Sequence, residues 1–209
     1  MESDGVMELE KVVAKKPLRQ ALAQAVSAIV HPVAFPLLTL AAIAFTETGS
    51  VSSSLDVCLI ALALTTAPVA ALVAFQVARG HWTDLDVSVR EQRYALYPIG
   101  LVCALLMVAA LAYISAPQGA LIAAGAMTLA NAVDGVINFA YKVSAHATAA
   151  AACAALLWLF VPGWGAPAAL AAALVGWSRV ELGRHTTGQV LLGWLVGIGS
   201  AVAVRLLFV

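Results

Sequence analysis

Three short polar segments stand out in a chain that is otherwise almost entirely apolar, and they are Asp84–Pro98, Lys142–His146 and Ser178–Gln189. They contain arginine, lysine, serine and histidine, the side chains that hold or attack an oxyanion. Arginine presents a planar fork of donors that matches phosphate oxygens, lysine presents a point charge, and serine adds a hydrogen bond. Histidine can attack phosphorus or protonate a leaving oxygen. If folding brings the three segments together, they form a site for a phosphorylated ligand.

The composition places this site in a membrane protein. Of the 209 residues, 63% are hydrophobic and only 11% are charged, whereas soluble domains carry about 25% charged residues. A chain of this size folded in water would expose more apolar surface than it could bury, so the bilayer must be its solvent. The net charge is zero, which gives no general case for nucleic-acid binding. The three cysteines lie in apolar runs at unrelated spacings and are expected to be packing residues.

The apolar runs predict an all-α, multispanning membrane helix bundle with about six or seven transmembrane helices. The predicted spans are about 24–46, 56–78, two between Tyr94 and Tyr141, 146–161, 166–178 and 188–208. The fifth and sixth are short, so they are expected to tilt or to end inside the bilayer, and six spans result if one of them is re-entrant. In the last span, Gly193, Gly197 and Gly199 predict close helix packing.

The N-terminal residues differ in character from the rest of the chain. Residues 1–20 hold four acids and four bases and lack the apolar core and cleavage site of a signal peptide. They are expected to form a polar N-terminal tail. Residues 21–209 are expected to form a single membrane domain.

The distribution of bases predicts the orientation of the bundle. An even number of predicted spans separates each polar segment from the next, so all of them are expected on one face. The turns of the opposite face, 47–56, 115–119 and 161–166, contain no Lys or Arg, and Arg205 is the one base outside the first face. The positive-inside rule makes the first face cytoplasmic. The predicted location is the plasma (inner) membrane, with the site facing the cytoplasm.

The third polar segment is similar to a sequence block of the type 2 phosphatidic acid phosphatase superfamily, which shares a core with the vanadium haloperoxidases. The block reads Ser-Arg-x5-His-x3-Asp, and here it appears as Ser178-Arg179 followed by His185 and then Gln189 in place of Asp. The three segments come in the family's order, and the resemblance covers about residues 84–208, which the family would use as a phosphatase-like core.

The other two blocks are present in altered form. The second block, Pro-Ser-Gly-His, keeps its serine and histidine as Ser144 and His146. The first block, Lys-x6-Arg-Pro, keeps its arginine as Arg93, while Tyr94 replaces its proline and Asp86 replaces its lysine. A positive charge is therefore lost at one position of the phosphate site that the family builds.

The resemblance implies a metal-independent phosphatase that needs no cofactor. By similarity, His185 forms a phosphohistidine intermediate and His146 protonates the leaving alkoxide. The residues implied to hold the phosphate oxygens are Arg93, Arg179 and Ser144, with Arg90 and Lys142 as candidates to restore the lost charge.

The residue that orients His185 stays open among three candidates. Gln189 lies one helical turn beyond the histidine and can accept a hydrogen bond through its carbonyl oxygen. Glu181, four residues before the histidine, is an alternative source of negative charge. Asp134, in the fourth span, is a second alternative.

Polar residues outside these blocks are expected to have structural roles. His31-Pro32 in the first span predicts packing or a helix kink, and His81 predicts an interfacial anchor. Asp84 and Asp86 are expected to be loop or capping charges, with orientation of the nearby arginines as the alternative.

Taken together, these features predict an integral membrane phosphatase that hydrolyses a lipid or isoprenoid phosphate, either a mono- or a diphosphate. Prenyl and polyprenyl phosphates, phosphatidic acid and phosphatidylglycerophosphate fit equally. The alternative is a catalytically weak or inactive lipid-phosphate-binding membrane protein. A transporter predicts paired broken helices or inverted repeats, and the sequence has neither. Lipid-like phosphates and membrane lipids are the expected partners, nucleic acid is not, and a homo-oligomer is left open.

Overall fold

The computed structural model describes residues 18–208, and this part of the chain is helical without any strand. The helices are α1 (Leu18–Ile29), α2 (Ala34–Thr48), α3 (Val51–Ala78, with a π-helical turn at Leu62–Thr66), α4 (Arg93–Tyr113), α5 (Gln118–Ala140), α6 (Ala145–Phe160), α7 (Gly165–Glu181) and α8 (Thr187–Leu207). The predicted all-α class is confirmed. The predicted polar tail is residues 1–20. Its first 17 residues lie outside the described part of the chain, and residues 18–20 form the first turn of α1.

Each predicted span corresponds to a helix or to a bent helix pair. By length and composition, α3, α4, α5 and α8 could cross a membrane, and α1 with α2 forms a fifth candidate that is bent by 46°. The multispanning architecture is thus confirmed, although five candidates are fewer than the six or seven predicted. The two remaining helices, α6 and α7, have only 16 and 17 residues. A 16-residue helix is ~24 Å long, which falls short of a ~30 Å hydrocarbon core.

Polar caps and a glycine define where several helices begin and end. Gly49 ends α2 in the left-handed conformation at φ 65°, which costs glycine nothing because it has no Cβ. Ser50 then caps α3 by accepting the N–H of Ser53. At the other end of the bundle, Ser144 and Thr186 cap α6 and α8 in the same way. The two histidines of the predicted site, His146 and His185, lie next to the caps of α6 and α8.

Helices α6 and α8 form the most extensive helix pair of the structure. A Cβ on Gly193 would lie 2.9 Å from the carbonyl oxygen of Ser144, and a Cβ on Gly197 would overlap the carbonyl of Thr148. The predicted close packing is therefore real at these two glycines, which let the backbones touch. Gly199 differs, because its missing side chain would face open space.

The two ends of the bundle carry different polar groups. At one end, the carboxylate of Glu47 accepts the N–H of Gly119 at 2.8 Å and ties α2 to α5. At the other end, the loop between α3 and α4, the start of α6 and the turn between α7 and α8 contact one another through the side chains described below. The structure thus brings the three polar segments together at one end.

Candidate active site

His185 lies in the turn between α7 and α8 and is buried, with 6% of its surface exposed. Its Nδ1 is 3.0 Å from the Oε1 of Gln189. The same Oε1 accepts the backbone N–H of Thr186 at 3.2 Å, so the carbonyl side of the amide faces the ring. Nδ1 must therefore be the protonated nitrogen. The lone pair of Nε2 is left for a reacting group.

The helix start explains why Gln189 is held so firmly. The hydroxyl of Thr186 accepts the N–H of Gln189, while the side chain of Gln189 reaches back to the N–H of Thr186. This reciprocal arrangement is a capping box. Gln189 consequently serves the helix and the histidine at once, and the Thr-x-x-Gln spacing at 186–189 is a signal that the sequence analysis did not use.

The surroundings of His185 keep its imidazole neutral. Burial, followed by the positive charges of Arg93, Lys142 and Arg179, lowers the pKa of His185 to about 3. At neutral pH the ring is therefore unprotonated, and only this form has a lone pair for nucleophilic attack.

Arg179, near the end of α7, is the most deeply buried cation of the site and is held from two sides. It is 2% exposed. Its Nη2 donates to the carboxylate of Asp86 at 2.9 Å, and its Nη1 donates to the hydroxyl of Ser27 on α1 at 3.0 Å. Partial burial alone would raise the pKa of Asp86, but the positive charges around it, first Arg179 and then His146 and Arg184, together hold the pKa below its usual value. Asp86 is thus a loop carboxylate that pairs with Arg179, and the alternative that it orients Arg90 or Arg93 is wrong.

His146 and Ser144 occupy the start of α6. The Ser144 oxygen accepts the N–H of Ala147 at 3.4 Å, which leaves its own hydroxyl proton available as a donor. The Nε2 of His146 lies 3.8 Å from the nearer oxygen of Asp86. Its ring also meets His31 edge-on, with 6.0 Å between the centroids. His31 accepts the N–H of Val33 at the bend between α1 and α2, so it lies at the predicted kink and also beside the site.

Arg93 is buried at the start of α4 and anchors the preceding loop. Its Nε donates to the carbonyl of Val87 at 2.7 Å, and its Nη1 donates to the carbonyl of Val143 at 3.0 Å. These bonds join the first polar segment to the residue before Ser144. Arg93 therefore sets the geometry of the site in addition to contributing its charge.

Arg90 and Lys142, the two candidates to restore positive charge, are placed differently. Arg90 donates to the carbonyl of Ala140 at 3.1 Å and pairs with the exposed Glu91, so its contacts are directed to the end of α5. Lys142 donates to the carbonyl of Arg184 at 3.0 Å, which tethers the His185 turn. Burial, then the neighbouring arginines, lowers the pKa of Lys142. Of the two, Lys142 is the one that belongs to the cationic cluster.

The two acidic alternatives to Gln189 are engaged elsewhere. Glu181 forms an ion pair with Arg19 of α1 at 2.8 Å. Asp134 accepts the hydroxyl of Thr148 at 3.1 Å, between α5 and α6. The proposed role of Glu181 in orienting His185 is therefore not supported, because its carboxylate is turned to α1.

Several residues of the site had no counterpart in the sequence analysis. Helix α1 contributes Ser27 to Arg179 and Arg19 to Glu181, and nothing in the local pattern marks either residue. Arg184, a member of the third polar segment, donates to the hydroxyl of Ser88 at 2.9 Å and so links that segment to the first.

The arrangement suits a reaction on an oxyanion. A neutral, oriented imidazole lies within the field of three cations, which are Arg93, Lys142 and Arg179. Fixed donors of this kind stabilise charge that develops on phosphoryl oxygens. Within residues 18–208, no group of three or more His, Cys, Asp or Glu side chains could hold a metal ion.

Comparison with known proteins supports the same assignment. The family model described as the PAP2 superfamily matches residues 134–209, which contain the second and third polar segments. This match confirms the family resemblance for that part of the chain. No curated protein and no solved structure matches the chain.

Proposed function

From the match of residues 134–209 to the PAP2 superfamily, we propose that the protein is an integral membrane phosphatase that hydrolyses a lipid or isoprenoid phosphate through a phosphohistidine. The match supports phosphatase activity in general terms. One observation carries the finer proposal: the buried, neutral His185 has Nδ1 bound to Gln189 and is surrounded by cations.

In the first step, the Nε2 of His185 attacks phosphorus. A P–N bond forms, and the P–O bond to the lipid alcohol or to the terminal diphosphate bridge breaks. His146 gives a proton to the leaving oxygen. Arg93, Arg179 and Ser144 bind the equatorial oxygens as charge develops on them.

In the second step, a water molecule attacks the phosphohistidine. The P–N bond breaks, inorganic phosphate leaves, and His146 takes back a proton from the attacking water. His185 returns to its neutral, Gln189-bound form. The cycle requires neither a metal ion nor an organic cofactor.

The surroundings of the site favour a substrate with a hydrocarbon tail. The site lies at one end of an apolar helix bundle, and α1 beside it exposes Leu18, Leu22 and Ile29. A lipid phosphate can present its head group there while its tail stays in the bilayer. Phosphatidic acid, phosphatidylglycerophosphate and prenyl or polyprenyl phosphates are the candidates.

Release of inorganic phosphate by the purified protein in detergent tests the proposal. Each candidate ester and diphosphate should be offered separately, with His185→Ala as the control. Turnover of at least one by the wild type and of none by the variant is expected. Turnover that persists in His185→Ala would exclude the phosphohistidine mechanism.

The site is proposed to face the cytoplasm, because the bases gather at its end of the bundle. A protein without its three native cysteines, carrying Asp84→Cys, is expected to resist a membrane-impermeant thiol reagent in intact cells and to react after lysis. Labelling in intact cells would place the site on the outer face, and the substrate would then be a lipid of the outer leaflet.

A phosphate-binding protein without turnover is the second candidate function. Gln189 favours it, since an amide cannot stabilise a cationic imidazole as a carboxylate does. Binding of lipid phosphate without hydrolysis, in both the wild type and Gln189→Asp, would identify the protein as such a binder.

A further inference from the structure

The carboxylate of Asp86 lies between two groups of the proposed mechanism. One of its oxygens accepts from Arg179 at 2.9 Å, and the other lies 3.8 Å from the Nε2 of His146. The two partners are almost fully buried, whereas the Asp86 side chain is 29% exposed. Asp86 therefore lies at the edge of the site and places its carboxylate next to two buried groups.

The loop is built so as to hold Asp86 in this position. The next residue, Val87, is buried and has a φ of 47°, a strained conformation for a β-branched side chain. Its carbonyl is fixed by Arg93, and its N–H donates to the carbonyl of Asp84. Strain of this kind persists only where the surrounding contacts enforce it. The placement of Asp86 is thus imposed by the fold.

The separation between Asp86 and His146 has a chemical meaning. At 3.8 Å the two groups attract as charges but are too far apart for a hydrogen bond. In the described part of the chain, Nε2 of His146 has no hydrogen-bond partner. The carboxylate can therefore stabilise a protonated ring without taking up its proton.

The other titratable groups that face His146 act in the opposite sense. They are Arg179 on α7, His31 at the bend after α1, and His185 before α8, and a positive charge on any of them disfavours a proton on His146. Asp86 is the group that opposes them.

We propose that Asp86 is a positioning residue that readies His146 to protonate the leaving oxygen and that, by holding Arg179, weakens the binding of phosphate in the ground state. This proposal rests on the proposed phosphatase function. It assigns two effects of opposite sign to one carboxylate. Asp86→Asn should slow the reaction and at the same time tighten phosphate binding, a combination that a merely structural role does not produce.

Two classes of ester separate the effect on proton transfer from a general loss of activity. An alkyl or lipid phosphate has a poor leaving group that needs a proton, whereas p-nitrophenyl phosphate releases a stable phenolate. For Asp86→Asn, kcat/KM, which reports formation of the phosphohistidine and not its hydrolysis, is expected to fall about 10²-fold on the alkyl ester and less than about threefold on the aryl ester. Asp86→Glu should recover part of the alkyl activity. Equal losses on both esters, or no loss on either, would overturn the proposal.

Asp84→Asn is the matched control. It removes the same charge two residues earlier, but the Asp84 carboxylate accepts from Thr83 and Ser88 within the loop. The ratio of alkyl to aryl turnover should stay at the wild-type value in this variant. A ratio that changes as much as in Asp86→Asn would assign the effect to the loop and would contradict the proposal.

Binding of inorganic phosphate, measured by calorimetry in detergent, tests the second effect without any turnover. Asp86→Asn should lower the Kd about three- to tenfold, because Arg179 loses a competing anion. An unchanged or higher Kd would overturn this effect. If the wild type hydrolyses neither ester, the proposed function and the role of His146 as acid fail together, while the Kd still decides whether Asp86 competes with phosphate.

Discussion

The two histidines of the site lie at helix starts that are built alike but hold the rings differently. Ser144 caps α6 and Thr186 caps α8, each by accepting the N–H three residues further on. At α8, Nδ1 of His185 is fixed by Gln189. At α6, Nε2 of His146 has no hydrogen-bond partner within the described residues. A fixed ring suits attack on phosphorus, and a ring with a free nitrogen suits transfer of a proton.

This difference shows that a cap alone does not determine what its neighbouring histidine does. The capping box of α8 adds a side-chain acceptor from its own helix, whereas the start of α6 depends on Asp86 and His31, which come from other parts of the chain. The His185 ring is held by a residue of its own helix. The surroundings of the His146 ring come from residues distant in sequence. The following substitutions test this contrast.

His185→Ala should have the largest effect. We expect turnover of every ester to be abolished, including p-nitrophenyl phosphate, because no other described residue takes the place of the oriented nucleophile. Phosphate release from purified protein is the measurement. Activity near that of the wild type would remove the contrast between nucleophile and acid altogether.

His146→Ala should separate the two roles. Loss of a general acid costs about 10²- to 10⁴-fold, and we expect this cost on alkyl esters with a much smaller loss on an aryl ester that needs no proton. Comparison of kcat/KM for the two ester classes measures the difference, because kcat/KM does not include hydrolysis of the phosphohistidine, in which His146 also acts. An equal loss on both would mean that His146 acts on binding or structure and not on the leaving group.

Gln189→Leu keeps the volume of the side chain and removes the acceptor of both His185 and Thr186. Mispositioning of the nucleophile should lower kcat about 10²-fold. Thr186→Val is the control, because it removes the cap and about 1 kcal/mol of stability but leaves the bond to the ring. Glu181→Gln should be nearly silent in kcat, and a larger loss there than in Gln189→Leu would reverse the assignment of the orienting residue.

Lys142→Gln should have the smallest effect, visible only in the pH profile. Burial is the main cause of the low pKa of His185, and the charge of Lys142 is one of the smaller causes. Without that charge the pKa rises from about 3 but stays below the usual ~6.5. A larger fraction of the ring is then protonated as the pH falls, so the acid side of the kcat/KM profile should move to higher pH. An acid side that stays in place, or moves to lower pH, would contradict this explanation.

The helices could be predicted from the sequence because the information is local. The length of an apolar run and the polar residues at its ends determine where a helix can lie in a bilayer, and each predicted stretch is a helix or a bent helix pair in the structure. Even the two short helices, α6 and α7, were expected to be short. The capping box at Thr186 was also visible as a spacing, so the contact of Gln189 with the helix start was predictable in principle.

The contacts of α1 were not predictable in the same way. Ser27 and Arg179 are 152 positions apart, and which face of α1 meets α7 depends on how the whole bundle packs. The partner of Asp86 shows the same limit. Arg90 and Arg93 are its neighbours in sequence, but the strained backbone at Val87 and the bond from Arg93 direct the carboxylate to Arg179 instead.

Gly193 links the packing of α6 and α8 to the geometry of the site. Its absent side chain would meet the carbonyl of Ser144, the residue that begins the helix of His146, while Gly193 itself belongs to the helix that begins just after His185. One added methyl group there would press against Ser144 and Thr148 and push the two helix starts apart without changing any charged residue. The spacing of the reacting groups is thus set at a helix contact inside the bundle, so that changing this contact, with every charge left in place, would alter the room available to the phosphate.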